Sequence, residues 1–200
     1  MQVEFVFQIA ILIMSVVIHE VSHGYAASFL GDQTARYQGR LTLNPLKHLD
    51  FFGSIILPLL LYISKVGIIF GWAKPVPYNP YNLRPGRWSE AIVAFAGPLA
   101  NILLAIIFGM LLRIGISTEA SWANPAFIEI TAMVVVINIL LAIFNLVPIP
   151  PLDGSKILFS IFPDKLSQIR GFLEKYGLVF VIIFIFFLWQ FIYPLVGTAF

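Results

Sequence analysis

The feature that most constrains this chain is a His-Glu-x-x-His motif, residues 19–23, within the almost wholly apolar run 3–30. On an α-helix this spacing places His19 and His23 on one face, one turn apart, where two neutral imidazoles can share a metal ion. Glu20 lies beside them, where a carboxylate can act as the general base of a metal-assisted hydrolysis. The motif is therefore half of a zinc hydrolase site, and it lies in a segment with the composition of a membrane span.

The composition indicates an integral membrane protein. Hydrophobic residues make up 60% of the 200 residues and charged residues only 11%, whereas soluble domains contain about 45–50% apolar and about 25% charged residues. The sequence has no cysteine, so disulfides and thiolate metal sites are excluded, and a metal must take histidine, aspartate or glutamate ligands. The net charge of +2 gives no indication of nucleic-acid binding.

Four apolar runs are long enough to cross a bilayer, which requires about 20 apolar residues. They cover residues 3–30, 90–113, 127–147 and 178–197. The first run lacks a basic region ahead of it and carries the motif itself, so we expect it to be retained rather than cleaved as a signal peptide. Residues 155–176 are typical of short, charged, amphipathic helices. The predicted fold class is an all-α polytopic membrane protein, with residues 1–200 forming one domain.

Three other segments depart from the pattern of spanning helices. Residues 51–70 are apolar but interrupted by glycine, proline and lysine, and the longest part without glycine, serine or charge is only 55–63. Residues 35–50 mix short apolar alternation with turn residues, which predicts a small membrane-associated β-hairpin or sheet near the motif. Residues 71–89 contain four prolines among aromatic and basic residues, which predicts an interfacial β or loop region rather than a helix.

The two histidines leave the metal site incomplete, because a catalytic zinc takes three protein ligands and a water molecule. Asp153 stands out among the ten acidic residues, since it follows a helix end that three prolines disrupt and could direct its side chain back into the bundle. From the residues alone, Asp153 could equally cap the helix predicted to follow it. The remaining histidine, His48, is expected to be a solvated loop residue.

The hypothesis that Asp153 is the third ligand constrains the membrane topology. The end of the first span and the end of the 127–147 span must then lie on one side, so residues 51–70 must dip into the bilayer and return. Basic residues test this independently, because they are enriched in cytoplasmic loops. A re-entrant segment places ten on one side and one on the other, with Lys65 in the dip, whereas a spanning segment divides them four to seven. We expect both termini outside the cell and the metal near the cytoplasmic side.

Three motifs, in this order along the chain, resemble those of the site-2 protease family of intramembrane zinc metalloproteases. They are His19-Glu20-x-x-His23, Gly97-Pro98-x-x-Asn101, and Asn145-x-x-Pro148 followed by Leu152-Asp153-Gly154. Segments 40–45 and 71–77 resemble the short, mostly bacterial and archaeal branch of this family. As in that branch, we expect neither a PDZ insert nor a C-terminal CBS domain.

The resemblance implies one zinc ion per chain, bound by His19, His23 and Asp153, with Glu20 as the catalytic glutamate and Asn145 in substrate positioning. It implies hydrolysis of peptide bonds within or near transmembrane segments, known as regulated intramembrane proteolysis. The implied substrates are transmembrane proteins or signal-peptide-like segments. They would be cleaved by a multi-pass protein of the cell membrane that holds them as an extended strand.

Other interpretations stay open at this point. Gly97 and Asn101 are expected mainly to let helices pack closely, and Asn145 could stabilise a broken helix end. A peptidase for short peptides is a second enzyme, and a non-catalytic membrane chaperone or partner-binding protein with a vestigial zinc site is the alternative outside the enzymes. The intact Glu20 argues against that alternative. A metal transporter would need ionisable residues in several spans, and the sequence shows one cluster. The oligomeric state is not predicted.

Overall fold

The computed structural model describes residues 2–56, 59, 60, 63 and 73–184. Residues 2–56 and 73–184 contain six α-helices and three short helical turns, and residues 59, 60 and 63 are also helical. The helices are α1 (Gln2–Phe29), α2 (Thr34–Tyr37), α3 (Ser89–Ser117), α4 (Pro125–Asn145), α5 (Asp153–Ile161) and α6 (Pro163–Ile183). The turns are 3-10 helices at Pro45–Lys47 and Pro80–Asn82 and a π-helical turn at Phe51–Ile56. The predicted all-α class is confirmed for the described residues.

Three of these helices are long and apolar enough to cross a membrane: Val6–Phe29 within α1, all of α3, and all of α4. They coincide with the predicted spans 3–30, 90–113 and 127–147. The fourth predicted span, 178–197, lies mostly outside the described residues, and its first residues, 178–183, continue the helix α6. The chain is therefore a membrane protein with three candidate spans in its described part.

Helix α3 is the centre of the bundle, because it packs against α1, α4 and α5. Its buried positions are mostly small residues, which let neighbouring helices approach closely where apolar lipid provides no hydrophobic drive for association. They include Ala91, Ala94, Gly97 and Ala105. Because α1 and α5 both contact α3, the motif of α1 and the start of α5 lie beside the same helix.

The predicted β-hairpin is wrong. Residues 35–50 form the end of α2, a 3-10 turn and irregular chain, and the described residues 73–89 contain only one 3-10 turn before α3. The turn at Pro45 forms because the Asn44 side chain accepts a hydrogen bond from the backbone N–H of Leu46. Residues 73–79 are extended, and their backbone groups form hydrogen bonds mainly with side chains rather than with a neighbouring strand. We call residues 73–79 the strap.

His48 is not the solvated loop residue that the sequence suggested. Its side chain is 1% exposed. Its Nε2 lies 2.8 Å from the carbonyl oxygen of Thr42, and its own carbonyl oxygen accepts a 2.8 Å hydrogen bond from the N–H of Lys74. His48 therefore attaches the start of the strap to the loop that follows α2.

The re-entrant path predicted for residues 51–70 lies largely outside the described residues. The segment begins with the π-helical turn Phe51–Ile56, where the Asp50 carboxylate accepts a 2.7 Å hydrogen bond from the N–H of Gly53. Residues 155–176, predicted to be short amphipathic helices, form most of α5 and the first two thirds of α6. The re-entrant path stays a prediction.

Candidate metal centre

Three buried side chains from distant parts of the sequence meet between α1 and α5. His19 and His23 lie one turn apart in α1, and Asp153 is the first residue of α5. Oδ2 of Asp153 is 3.1 Å from Nε2 of each histidine, and the two Nε2 atoms are 3.0 Å apart. The structure therefore brings together the three residues predicted as metal ligands.

Asp153 reaches the histidines because of the way α5 begins. Leu152, and not Asp153, is the N-cap residue of this helix. Gly154 lets the helix start close to the preceding chain, since an added Cβ would lie 2.6 Å from the carbonyl oxygen of Val147. The Asp153 carboxylate is thus directed at the imidazoles and does not cap its own helix.

The surroundings of Asp153 favour its ionised form. Burial alone would raise the pKa of its carboxyl group, but hydrogen bonds from His19 and His23, together with the charge of Lys156, hold that pKa well below its usual range. Nζ of Lys156 lies 3.8 Å from Oδ1 of Asp153 and 5.2 Å from the centre of the Tyr78 ring. The carboxylate is therefore in the form that binds a metal.

The outer ring nitrogens of both histidines are occupied, which orients the inner ones. Nδ1 of His23 lies 2.7 Å from the carbonyl oxygen of Val93, and Nδ1 of His19 lies 2.5 Å from Oδ1 of Asn101. Metal-binding histidines commonly donate their other ring N–H to such an acceptor. Asn101 was assigned to helix packing from the sequence, and its contact with His19 is a site feature that this assignment missed.

These residues fit a zinc ion. Tetrahedral zinc with nitrogen and oxygen ligands at about 2.0–2.1 Å keeps those ligand atoms about 3.3 Å apart, close to the observed 3.0–3.1 Å. Gly97 of α3 leaves room in front of them, because a Cβ at this position would lie 2.6 Å from Nε2 of His19 and nearer still to Nε2 of His23. A side chain there would fill the space that an ion between the ligands needs.

Glu20 contacts the strap rather than the other ligand-type residues. The residue is half-buried, and its Oε2 accepts a 2.9 Å hydrogen bond from the backbone N–H of Val76. Gly24, one turn later in α1, makes this approach possible, since an added Cβ would lie 2.8 Å from Cγ1 of Val76. One oxygen of the predicted catalytic glutamate is thus held by the strap.

Two further side chains hold the strap. Nη2 of Arg40 donates to the carbonyl oxygens of Lys74 at 2.9 Å and Pro75 at 3.2 Å. The fully buried Asp32, just after α1, accepts from the N–H of Asn79 at 2.8 Å. Burial would raise the pKa of Asp32, but its hydrogen bonds with Thr34 and with residues 79 and 82 lower it below its ordinary value.

Of two further residues, Asn145 was predicted as a site residue and Lys156 was not. Asn145 is half-buried at the end of α4, and its Nδ2 donates to the carbonyl oxygen of Leu141 at 2.9 Å. Its role in substrate positioning stays a prediction. Lys156 was not predicted, although its place three residues after Asp153 on a helix, where side chains are neighbours, could have indicated it.

Comparison with known proteins agrees with this geometry. The family model of peptidase family M50 matches residues 7–188. The chain is 38% identical over 179 residues to the Bacillus subtilis (strain 168) protein named "Putative zinc metalloprotease YwhC", a match that covers 87% of this chain and 78% of that protein. It is 31% identical to "Putative zinc metalloprotease Rip2" of Mycolicibacterium smegmatis, covering 90% of this chain and 66% of that protein. No solved structure gave a significant match.

The matched region contains all three residues of the metal group and Glu20. It also contains the three helices that are long enough to cross a membrane, apart from the first residue of the α1 span. The chain therefore belongs to peptidase family M50, the site-2 protease family of membrane zinc metalloproteases.

Proposed function

We propose that this chain is an intramembrane zinc metalloendopeptidase that hydrolyses peptide bonds within or near transmembrane segments of membrane proteins. The observation that carries the proposal is the position of the metal group in a candidate span. His23 lies six residues before Phe29, the end of α1, which is about 9 Å along the helix axis. The two histidine ligands therefore lie within the apolar length of the helix and not in a domain attached to it.

In this proposal His19, His23 and Asp153 hold one zinc ion, and Glu20 is the general base. When bound, zinc supplies Lewis-acid activation of a water molecule and of the scissile carbonyl group. The carboxylate of Glu20 takes a proton from that water, the water oxygen bonds to the carbonyl carbon, and the carboxyl group returns the proton to the leaving amine as the C–N bond breaks. Because the N–H of Val76 donates to Oε2, Oε1 is the oxygen that takes and returns the proton.

The proposed substrates are transmembrane proteins or signal-peptide-like segments. The backbone N–H and C=O groups of a spanning helix are hydrogen-bonded to one another. The substrate must therefore unwind locally before a peptide bond can reach the site. The half-buried Asn145, eight residues before Asp153, is proposed to position the unwound segment. Support for this class of substrate comes from the two histidines, which lie within a candidate membrane span.

The proposed location is the cell membrane, with several spans and the active site near the cytoplasmic side. The support is the distribution of basic residues: ten of the twelve fall in segments that share the side of the metal group if residues 51–70 re-enter. Since the chain has no cysteine, single-cysteine variants give an unambiguous test in sealed cells. Ala120→Cys should react with an impermeant external thiol reagent, and Arg84→Cys should react only after permeabilisation. External labelling at position 84 would contradict the proposal.

The activity is tested with the wild type and Glu20→Gln, each purified in detergent and incubated with a single-span reporter protein. The wild type should contain about one zinc per chain and cleave the reporter, whereas Glu20→Gln should keep its zinc and lose cleavage by a factor of about 10² or more. Cleavage that survives in Glu20→Gln would refute the role of Glu20. Zinc binding without cleavage by the wild type would instead favour the non-catalytic partner-binding alternative.

A further inference from the structure

A continuous row of buried polar side chains lies behind His19 and links three helices. It runs from Ser15 of α1 through Asn138 of α4 to Asn101 of α3, and these residues are 3%, 0% and 0% exposed. Asn138 Nδ2 lies 3.0 Å from Ser15 Oγ, and Asn101 Nδ2 lies 2.7 Å from Asn138 Oδ1. Amides buried in a helix bundle are costly unless their hydrogen bonds are satisfied. Close packing alone therefore does not explain two of them here.

The row has a fixed direction, because backbone carbonyl groups can only accept hydrogen bonds. Nδ2 of Asn138 donates to the carbonyl oxygen of Val134 at 2.8 Å, so its Oδ1 is turned towards Asn101. That oxygen must accept, which requires Asn101 to present its Nδ2. The carbonyl oxygen of Ser15, 3.4 Å from the same Nδ2, requires the same orientation.

The direction of the row determines which nitrogen of His19 carries a proton. With Nδ2 of Asn101 facing Asn138, its Oδ1 faces Nδ1 of His19 at 2.5 Å. An amide oxygen can only accept, so Nδ1 must be the protonated nitrogen. In the neutral ring that can bind a metal, Nε2 of His19 then carries the lone pair, on the side of Asp153 and His23 where a metal would bind.

We propose that Asn138 and Asn101 form a hydrogen-bond relay that holds His19 in the tautomer and ring orientation of a metal ligand. Both are positioning residues, and the inference rests on the proposed role of His19 in binding zinc. His23 needs no relay, because its Nδ1 donates directly to the carbonyl oxygen of Val93. The backbone of α3 thus orients His23, whereas side chains of α3 and α4 orient His19. Zinc affinity should therefore depend on α4, although α4 carries no ligand.

The relay is tested by zinc affinity, measured by competition with a chromophoric chelator on the purified full-length chain in detergent. Asn101→Leu should bind zinc about 10–100-fold more weakly than the wild type, as expected for loss of a partner to a metal-binding histidine. Asn138→Leu should weaken binding in the same direction and by a smaller factor, because it leaves the Asn101 amide oriented only by its long 3.4 Å contact with the carbonyl oxygen of Ser15. Thr131→Val, a buried polar position of α4 outside the relay, is the matched control and should bind zinc as the wild type does.

Asn101→Asp separates positioning from packing. Its carboxylate still accepts from His19, but its second oxygen meets Oδ1 of Asn138, so the variant should unfold at a lower temperature than the wild type while binding zinc more tightly than Asn101→Leu. A purely structural role would instead rank zinc affinity in the order of thermal stability. With 15N-labelled histidine in the zinc-loaded protein, Asn101→Leu should change the Nδ1–H signal of His19 and leave that of His23 in place.

The outcomes distinguish this inference from the proposed function. If the wild type binds no zinc, the proposed metal site fails together with the relay. If the wild type binds zinc and a folded Asn101→Leu variant has a zinc affinity within twofold of the wild-type value, only the relay is refuted. Equal zinc affinity for Asn138→Leu and the wild type would limit positioning to Asn101 and refute the relay as stated.

Discussion

The metal group and the strap both involve residues 19–24 of α1, but different kinds of structure hold them in place. At the metal group, regular helices present side chains: α1 supplies two, α5 supplies one, and α3 orients the rings. At the strap, the side chains of Glu20, Asp32 and Arg40 form hydrogen bonds with the backbone of a segment without regular secondary structure. Glu20 belongs to both regions, because it neighbours His19 in sequence and bonds the strap through Val76.

This difference indicates that metal binding and orientation of the base can be disturbed separately. The ligands depend on close packing of α1, α3 and α5, which the bundle fixes over many contacts. The carboxylate of Glu20 depends on a few hydrogen bonds to an irregular segment, and such segments have lower local stability. Changes in the bundle should therefore remove zinc, and changes in the strap should lower turnover while zinc remains bound.

The largest effect is expected for Gly97→Ala. The added Cβ would lie 2.6 Å from Nε2 of His19 and fill the space in front of the ligands. Zinc content should fall from about one ion per chain to near zero, and cleavage should fall to background. Gly109→Ala on the same helix is the control, because its Cβ would meet only Cγ2 of Val135 at an ordinary 3.9 Å. Full zinc content in Gly97→Ala would show that the ion does not lie where we place it.

A second change acts on the one hydrogen bond that joins the two regions. Val76→Pro removes the N–H that bonds Oε2 of Glu20, while the extended strap already has proline on both sides of this position. A hydrogen bond to a charged group contributes about 1.5–3 kcal/mol, so kcat should fall about tenfold or more with zinc content unchanged. Val76→Ala keeps the N–H and controls for the lost side-chain packing. Equal losses in the two variants would mean that packing, not the hydrogen bond, orients Glu20.

A third change tests the strap through pH. The pKa of Asp32 is lowered in the folded protein, so its ionised form contributes stability that is complete above its unfolded pKa of about 3.9 and is lost as pH falls through the lower folded value. Asp32→Asn should be less stable than the wild type at pH 7 by about 1–3 kcal/mol. The difference in thermal unfolding temperature should shrink below about pH 4. A difference that is constant between pH 7 and pH 3 would exclude Asp32 as its source.

The histidine pair of the metal group was predictable from the sequence because its information is local, whereas the ligand role of Asp153, 134 residues from His19, was indicated by the family resemblance. The spacing of His19 and His23 fixes their common face on any helix, and the prolines before Asp153 mark the end of a span. The three long helices were predictable for the same reason, since an apolar run of sufficient length has few alternatives in a membrane.

The strap and the relay were not predictable because their partners are distant in sequence. Nothing near Val76 indicates that its N–H will bond a carboxylate 56 residues away. Residues 35–50 show only a local alternation, and that alternation predicts a hairpin. His48 and Asn101 each look ordinary in their own segments. Only the packing of α1 against α3 shows that Asn101 bonds His19.

The smallest effect is expected for Arg40→Lys, which loosens the strap without detaching it. Arg40 donates from one nitrogen to two successive carbonyl oxygens, those of Lys74 and Pro75, and a lysine ammonium lacks the planar geometry that places both bonds. Cleavage of the reporter should fall about two- to fivefold, the loss expected for one hydrogen bond of about 0.5–1 kcal/mol, with zinc content unchanged. Arg36→Lys, at an exposed position of α2, should leave both quantities as in the wild type. Loss of zinc in Arg40→Lys would show that the strap supports the ligands as well as the base, and the two regions would then have to be treated as one.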